Sequence, residues 1–548
     1  MRSVWKTALA ILACGSLVAA QPSSISRAWE IGIVDRPLTI EKLSGVVPGF
    51  SEFLGAPKIS SDGLYAVYRA DHETADTVDL WSVPLDASAP PVRLNGPLPA
   101  GRYVREDFSL TPDGQFVLYA AEQEVLGRFD LYRAPIGGGP SVRLSDPTVV
   151  TDDVGSFSVT PDSTTVVFTA AGLSGYQVLF VTPAAGGAVT SLTGPGIPGG
   201  FVTRFELTPD GERAIALGDL LTNNLVELFS IPIDGSPRTK LSGPLPPDAD
   251  IYTFAVAPDG SSVAYIGGQN TADVWELFSI PVAGGTRTHL NPTLPAHADV
   301  APDLLKISPD STRALFLADI NLDEAWELYS VPLGGGGAVK LNGALVAEGD
   351  VNAMSDGVLI SPDSSTVVYR ADQQTDELFE LYRVPLAGGT VTKINATVSN
   401  WGVSQTFRIT ADSQYVIFAA DHDINGFESL FSAPLAGGSP IDLYPDLPAD
   451  QGIDPFCSVL DPANQTIAFA TYNAVDDGST LLTSGYTTSG ATRINPTPVT
   501  GGGVVQCTFR FDPSGETLVY GADQEVDDRF ELYVARQGQV VFLTQLSK

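Results

Sequence analysis

Ser308-Pro309-Asp310-Ser311-Thr312-Arg313-Ala314-Leu315-Phe316-Leu317 sets a turn directly before a short apolar run, and the chain repeats that arrangement along its length. Pro fixes φ for the first central position of a type I turn, and Asp accepts the N–H groups that follow, so the chain reverses there. Leu304 to Ile307 lies upstream; after Ala314 to Leu317 come Glu327 to Val331 and Ala338 to Leu341. Gly334 to Gly337 separates the last two segments, glycine supplying the positive φ of a tight hairpin. The four segments read as strands a, b, c and d of one antiparallel meander. Strand b is continuously apolar rather than alternating, which requires cover on both faces of the sheet.

The turn recurs as Ser61-Asp62-Gly63, Pro112-Asp113-Gly114, Pro161-Asp162-Ser163, Pro209-Asp210-Gly211 and Pro258-Asp259-Gly260, then as Pro362-Asp363-Ser364 and Ala411-Asp412-Ser413. Two degenerate copies follow, Pro462-Ala463-Asn464 and Pro513-Ser514-Gly515. Repeats of about fifty residues that cannot bury their own apolar faces must stack, and four-stranded units repeated radially make a β-propeller. The spacing predicts an all-β chain with ten four-stranded antiparallel blades over residues 49–548; two smaller propellers are the alternative. Ala28-Trp29-Glu30-Ile31 resembles Ala325-Trp326-Glu327-Leu328, and Glu41-Lys42-Leu43-Ser44-Gly45 resembles the strand d around Lys240-Leu241-Ser242-Gly243. Residues 21–48 therefore read as a half repeat, strands c and d, that either caps or clasps the ring or packs on an edge otherwise open, with two antiparallel strands expected within 28–44. Strand d of the last repeat is expected near Val540 to Leu543.

The Ser/Thr-Pro-Asp-Gly turn, the apolar strand b, the Glu-Leu-Phe/Tyr strand c and the Gly-Gly after it resemble the repeats of TolB-type β-propellers. The resemblance covers essentially the whole chain after the signal and implies the fold; the N-terminal domain of that family's namesake has no counterpart in it.

Arg2 and Lys6 precede the apolar run Thr7 to Ala19, and Val18 and Ala20 are small or apolar, as at an export-signal cleavage site after Ala20. The alternative makes Ile11-Leu12-Ala13-Cys14 a lipoprotein box with a lipid anchor on Cys14. Either reading places the protein in the periplasm or outside the cell. No other segment has the roughly 20 apolar residues of a transmembrane helix. Formal charge is −34, and removing two cations with the signal makes it −36, which argues against nucleic acid and anionic membrane as partners. Cys457 and Cys507 then remain, in neighbouring repeats, as a candidate disulfide beside the alternative of two buried thiols.

Function is sought on the longer d–a and b–c loops, which share one face. Acids stand before strand a at Asp153, Asp250, Asp299 and Asp350. The b–c loops carry acids or amides at the first, third and fifth positions after strand b, with an acid near the ninth: Asp319, Asn321, Asp323 and Glu327, or Asp523, Glu525, Asp527 and Glu531. Asp421-His422-Asp423-Ile424-Asn425-Gly426 has the first half of a calcium loop, so Asp421, Asp423 and Asn425, with Glu428 as the substitute bidentate acid, are the candidate calcium ligands. The alternative is that such acids bond the loop backbone. Phe129, Trp275, Trp326, Phe379 and Phe530 precede strand c and are read as packing between blades. His72, His289, His297 and His422 lack metal spacing, and no G-x-S-x-G elbow or H-E-x-x-H helix occurs. The expectation is a non-catalytic scaffold that binds a protein partner through its acidic loops; the alternative is a propeller lyase or hydrolase acting on polysaccharide at the channel mouth.

Overall fold

Each Pro-Asp turn closes on its own side chains. In the computed structural model, Asp310 Oδ1 accepts the Ser308 hydroxyl at 2.5 Å and the Thr312 N–H at 3.1 Å, while Ser308 Oγ accepts the Arg313 N–H at 3.0 Å. Thr111 with Asp113, Thr160 with Asp162 and Thr410 with Asp412 repeat the device. Where Ser replaces Gly at the last turn position, Ser163, Ser311, Ser364 and Ser413 all take φ of 60–62°. L-residues rarely adopt that conformation. Here each hydroxyl accepts the N–H of the Asp one blade earlier, Asp113, Asp259, Asp310 and Asp363, at 2.9–3.1 Å. The strained serines thus stitch adjacent turns together.

The structure describes residues 29–35, 39–44 and 53–545, except 75, 195, 297, 353–356, 399–401, 422–426, 449–450, 463–465, 474–478, 506, 528 and 537–538. Among the described residues it is all-β, with ten four-stranded antiparallel sheets and no α-helix. The sixth blade has strands Val300–Ile307, Arg313–Ala318, Glu327–Pro332 and Val339–Lys340. Inner strands of successive blades touch, and Phe53–Ile59 of the first blade touches Arg510–Phe511 and Thr517–Ala522 of the tenth. The blades therefore close as one ring, not two propellers, with strand a around the axis.

Strand b is the buried centre of each wedge: Ala314 to Ala318 are inaccessible, and Ala314 and Phe316 pack against Ala264 and Ile266 of the fifth blade. That two-sided cover is why the strand does not alternate. Within blades, aromatic side chains of strands b and c stack, as Tyr119 on Tyr132 at 5.6 Å and Phe316 on Tyr329 at 5.5 Å.

Strand d is short, and a side chain anchors it. The Ser, Thr or Asn after its last apolar residue accepts the N–H of the first strand-c leucine, as Asn342 does from Leu328 at 2.9 Å and Ser145 from Leu131 at 3.1 Å. Nine of the ten blades do this.

The tenth blade takes its strand d from the other end of the ring's chain. Thr39–Lys42 pairs with Glu531–Arg536, the Leu43 N–H reaches Leu532 O at 2.7 Å, and Ser44 Oγ accepts the Leu532 N–H at 3.2 Å. Leu43 is buried among Ala66, Tyr68 and Trp81 of the first blade and Val519 and Val534 of the tenth. The N-terminal stretch thus clasps the ring, one of the two arrangements expected of it, and this corrects the expectation that the last blade has its own strand d near Val540 to Leu543. Lys42-Leu43-Ser44 carries the cation, the apolar anchor and the hydroxyl of a strand d, whereas Val540-Val541-Phe542-Leu543-Thr544 has the anchor and the hydroxyl but Phe542 where the cation stands. The 28–44 stretch does hold two strands, but they do not pair with each other. Trp29–Asp35 instead runs antiparallel to Gln539–Gln545, Trp29 opposite Gln545. That pair belongs to a small unit of residues 1–39 and 537–548; the ring unit is Ile40–Arg536. The signal cleavage at Ala20 and the Cys14 anchor lie outside the described residues.

Cys457, on strand a of the ninth blade, is disulfide-bonded to Cys507, fifty residues on at the entry to the tenth. Two stability outcomes are expected from chemical denaturation. Leu43→Ala lowers the unfolding free energy by about 2–5 kcal/mol and Ser44→Ala by about 1 kcal/mol, with shortening from residue 539 onward sparing the ring transition. Replacing both cysteines by Ser costs about 4 kcal/mol for a loop of that length.

Candidate functional site

The loop acids turn inward. Asp319, the first residue after strand b, accepts the Asp299 N–H at 2.7 Å and the Glu324 N–H at 3.4 Å. Asp372 accepts those of Asp350 and Glu377 at 2.5 and 3.0 Å, and Asp219 those of Phe201 and Asn224 at 2.5 and 3.1 Å. Each carboxylate thereby holds its own b–c loop to the d–a loop beside it. The d–a acids extend the link backwards by one blade. Asp153, Asp250, Asp299 and Asp350 accept the N–H groups of Phe129, Val226, Trp275 and Trp326 at 2.6–2.7 Å. Burial and the neighbouring Asp319 raise the Asp299 carboxyl above its ordinary range; burial and Asp372 do the same to Asp350.

The ninth-position acids are spent as well. Glu327 pairs with Lys340 of strand d and accepts the Tyr329 hydroxyl at 2.7 Å; Glu380 does the same with Lys393 and Tyr382, and Glu531 with Lys42 and Tyr533. Third-position acids reach the same strand-d cations: Glu73 to Arg93 and Glu124 to Arg143 at 2.6 Å, Glu525 to Lys42 at 3.5 Å. Asn321 donates to Glu327 instead. The pattern that reads as a cation loop serves, in these blades, as loop architecture.

Of the candidate calcium ligands, Asp423 and Asn425 lie outside the described residues, with His422. Asp421 is buried at the loop-bracing position, and Glu428 lies near it and near Asp454. Burial, then Asp454 and Asp421, push the Glu428 carboxyl up to about 7. Among the described residues, Asp454, Cys457 and Cys507 meet a metal-like spacing, but both sulfurs are in the disulfide. His72 is buried against Tyr68 and Trp81, with Nε2 3.1 Å from the Tyr68 hydroxyl, and burial lowers it to about 4. His289 sits 3.1 Å from Glu276, and His297 lies outside the described residues.

The pre-strand-c aromatics pack as expected from their repeat position. Trp275 and Trp326 border the cores between blades, Phe530 borders that between the tenth and first, and Phe379 lies under the Arg370 guanidinium at 4.1 Å. Tyr103 covers Phe129 and Tyr252 covers Trp275, at ring separations of 5.2 and 5.1 Å.

The loop face exposes something the acid pattern concealed. Leu126 and Leu173 are 75% exposed, Leu322 62%, Leu221 53% and Val526 45%, all at b–c loop tips. Tyr103, Phe201 and Tyr252, on the adjoining d–a segments, are exposed too. The signal was available in sequence as an apolar residue inside an acidic loop. Isolated exposed leucines are ordinary; recurrence at the same tip in five blades is not.

Basic side chains tie the channel wall across blades. Arg69 Nε donates to Val104 O at 2.9 Å, Arg370 Nε to Val403 O at 2.8 Å and Lys306 Nζ to Val358 O at 2.8 Å. Burial lowers Arg370 to about 10.

No protein-family model and no curated protein matches the chain. Similar solved structures include Porphyromonas gingivalis dipeptidyl peptidase 4 (12% identity, TM-score 0.46, 70% of this chain and 57% of that one). Others are a Mycobacterium tuberculosis puromycin-hydrolyzing peptidase (14%, 0.35, 65% and 56%) and a structure from an analysis of two prolyl endopeptidases (13%, 0.39, 68% and 55%). The match spans little more than half of each of those chains.

His72 and Glu428 give opposite pH dependences. The folded His72 pKa lies below the unfolded value, so its contribution is complete above pH 6.5 and is lost as pH falls towards 4, about 3 kcal/mol in all. The folded Glu428 pKa lies above its unfolded value, so stability falls as pH rises from about 4.5 to about 7. In denaturation curves from pH 4 to 8, His72→Gln is expected to remove the first slope and Glu428→Gln the second; a variant that keeps its slope refutes that assignment.

Proposed function

We propose that this is an exported, non-catalytic β-propeller, of the TolB-type repeat family, that binds a protein partner with its b–c and d–a loop face. The observation that carries the reading is the set of exposed apolar tips, Leu126, Leu173, Leu221, Leu322 and Val526, on five blades of one ring. Apolar groups spaced around a rigid rim suit a broad protein surface, and large exposed apolar residues commonly mark such contacts. The acids of the same loops contribute differently from the expectation above. Those in first and ninth positions brace the loops against one another, so the partner meets leucine and aromatic side chains held in place by carboxylates. The export signal and the resemblance of the repeat support the location and the family.

A crosslinked pull-down from the native envelope or culture medium tests this. Replacing Leu126, Leu173 and Leu322 by Ser is expected to weaken capture of the partner more than about tenfold, since each leucine buried on binding contributes about 1.5–3 kcal/mol. Leu64→Ser, on an exposed a–b turn at the other face, is expected to leave capture unchanged. Equal loss in both variants, or turnover of a polysaccharide by the purified chain without any captured partner, would overturn the reading.

A further inference from the structure

Three charged places remain outside the loop-face reading: the Glu428 carboxylates, the Arg69 and Arg105 region, and a pocket on the channel wall near the a–b turns. The third is the most fully built. It is a cavity of about 650 Å³ shaped by inner strands of four consecutive blades: Leu359 of the seventh, Phe407 to Ile409 of the eighth, Phe456 to Leu460 of the ninth and Phe509–Arg510 of the tenth. Its surface is about half polar: the lining side chains are apolar except for Thr406, Ser458 and two arginines, and among the described residues no carboxylate lines it. In a chain with 64 acidic and 30 basic residues, two arginines sharing a pocket without an acid is a marked departure.

The register explains how they meet. Lys58, Lys306, Arg408 and Arg510 each stand two residues before the side chain that opens the a–b turn: Ser60, Ser308, Thr410 and Asp512. Lys58 and Lys306 reach the next blade's Phe108 and Val358 carbonyls. Arg408 reaches the Ser458 hydroxyl of the next blade at 3.3 Å. Arg510 instead turns to its own chain, donating to Phe509 O at 2.7 Å and Cys507 O at 3.4 Å, and makes no ion pair among the described residues. Burial and then the Arg408 charge lower its pKa. Both arginines therefore line one cavity, close enough for their charges to act on each other.

The rest of the pocket supplies an apolar wall. A register shift between Ile453 and Ser458 throws Phe456 outward, where it is 61% exposed on an inner strand. The neighbouring Cys457 is bonded to Cys507, fixing the ninth blade to the tenth beside Arg510. The nearest acid of that strand, Asp454, accepts the Phe456 N–H at 3.0 Å and lies outside the lining.

We propose that this pocket binds a small organic anion: a carboxylate on an apolar body, its oxygens between Arg408 and Arg510 and its body against Phe456, Leu359 and Ile409. Guanidinium forks match carboxylates with paired, charge-assisted hydrogen bonds, and the apolar wall selects against a bare inorganic ion. The site is on the opposite end of the ring from the loop tips and is independent of the partner reading.

Titration calorimetry of the disulfide-intact chain tests it, with benzoate, benzamide and inorganic phosphate as probes. Benzoate is expected to bind, with benzamide and phosphate at least about tenfold weaker. Arg510→Met is expected to weaken benzoate by about tenfold or more while the ligand-free melting temperature stays equal or rises, because a like charge beside Arg408 is gone. Phe456→Ala, at an exposed side chain, tests the apolar wall without threatening the fold and is expected to weaken benzoate but not phosphate. Equal binding of benzoate and benzamide, preference for phosphate, or benzoate binding undiminished in both variants would overturn the proposal.

Discussion

Closure of the ring rests on three residues, Lys42 to Ser44. Ten sheets with apolar faces on both sides leave two raw faces until the tenth meets the first, and a three-stranded tenth blade would leave Leu532 without an outer neighbour. Leu43 fills that place, its N–H on Leu532 O and its side chain among Tyr68, Trp81 and Val534. Lys42 neutralises the inaccessible Glu531, and Ser44 takes the Leu532 N–H. An outer strand contributed by the opposite end of the ring's chain makes separation of the first and last blades a simultaneous loss of apolar contact, ion pair and backbone pairing. The six-residue strand Glu531–Arg536 is thereby covered, and the tenth blade keeps only the short edge of Thr39–Lys42, like the other blades.

The same logic runs around the ring in smaller steps. On the turn side, a serine hydroxyl at positive φ accepts the N–H of the preceding blade's Asp. On the loop side, Asp299 and Asp350 reach back to Trp275 and Trp326. Arg69, Arg370 and Lys306 cap carbonyls along the channel wall. These bonds cross the apolar interface between blades, where dispersion and burial alone would set distance but not register. Directional bonds at both rims and at the axis fix the rotation of each wedge against the next.

What was legible in the sequence follows from the range of each signal. The Pro-Asp turn is local, and the strands read from it for the sixth blade end within a few residues of Val300–Ile307, Arg313–Ala318, Glu327–Pro332 and Val339–Lys340. Strand d was harder, since two paired residues have no period; its mark is Ser or Asn bonding a leucine fourteen residues earlier, as Asn342 does Leu328. Leu543-Thr544 offers the same apolar-hydroxyl pair, though Thr544 lies twelve residues after Leu532, so Val540 to Leu543 reads as an equal candidate for the last blade. The resemblance of Trp29-Glu30-Ile31 to a strand c pointed to a half repeat, yet Trp29–Asp35 pairs with Gln539–Gln545. The acid pattern was read correctly as converging oxygens. Spacing alone does not tell whether they converge on an ion or on backbone N–H groups, and around Asp319 and Asp372 they converge on N–H groups.

That last point changes how the charge of the molecule bears on recognition. A carboxylate holding two loop N–H groups is immobile, and so is the loop it holds. Leu322 follows Asp319 by three residues, Val526 follows Asp523 by three and Leu126 follows Glu122 by four, so these three tips are carried on segments pinned by the acid before them, while Leu173 follows no acid. An apolar side chain displayed on a pinned loop loses less conformational freedom on binding than one on a free loop, and less of its burial is offset. The acids and the apolar tips are then parts of one construction: the charge that makes the loops look like a recognition surface is what holds the recognising side chains still.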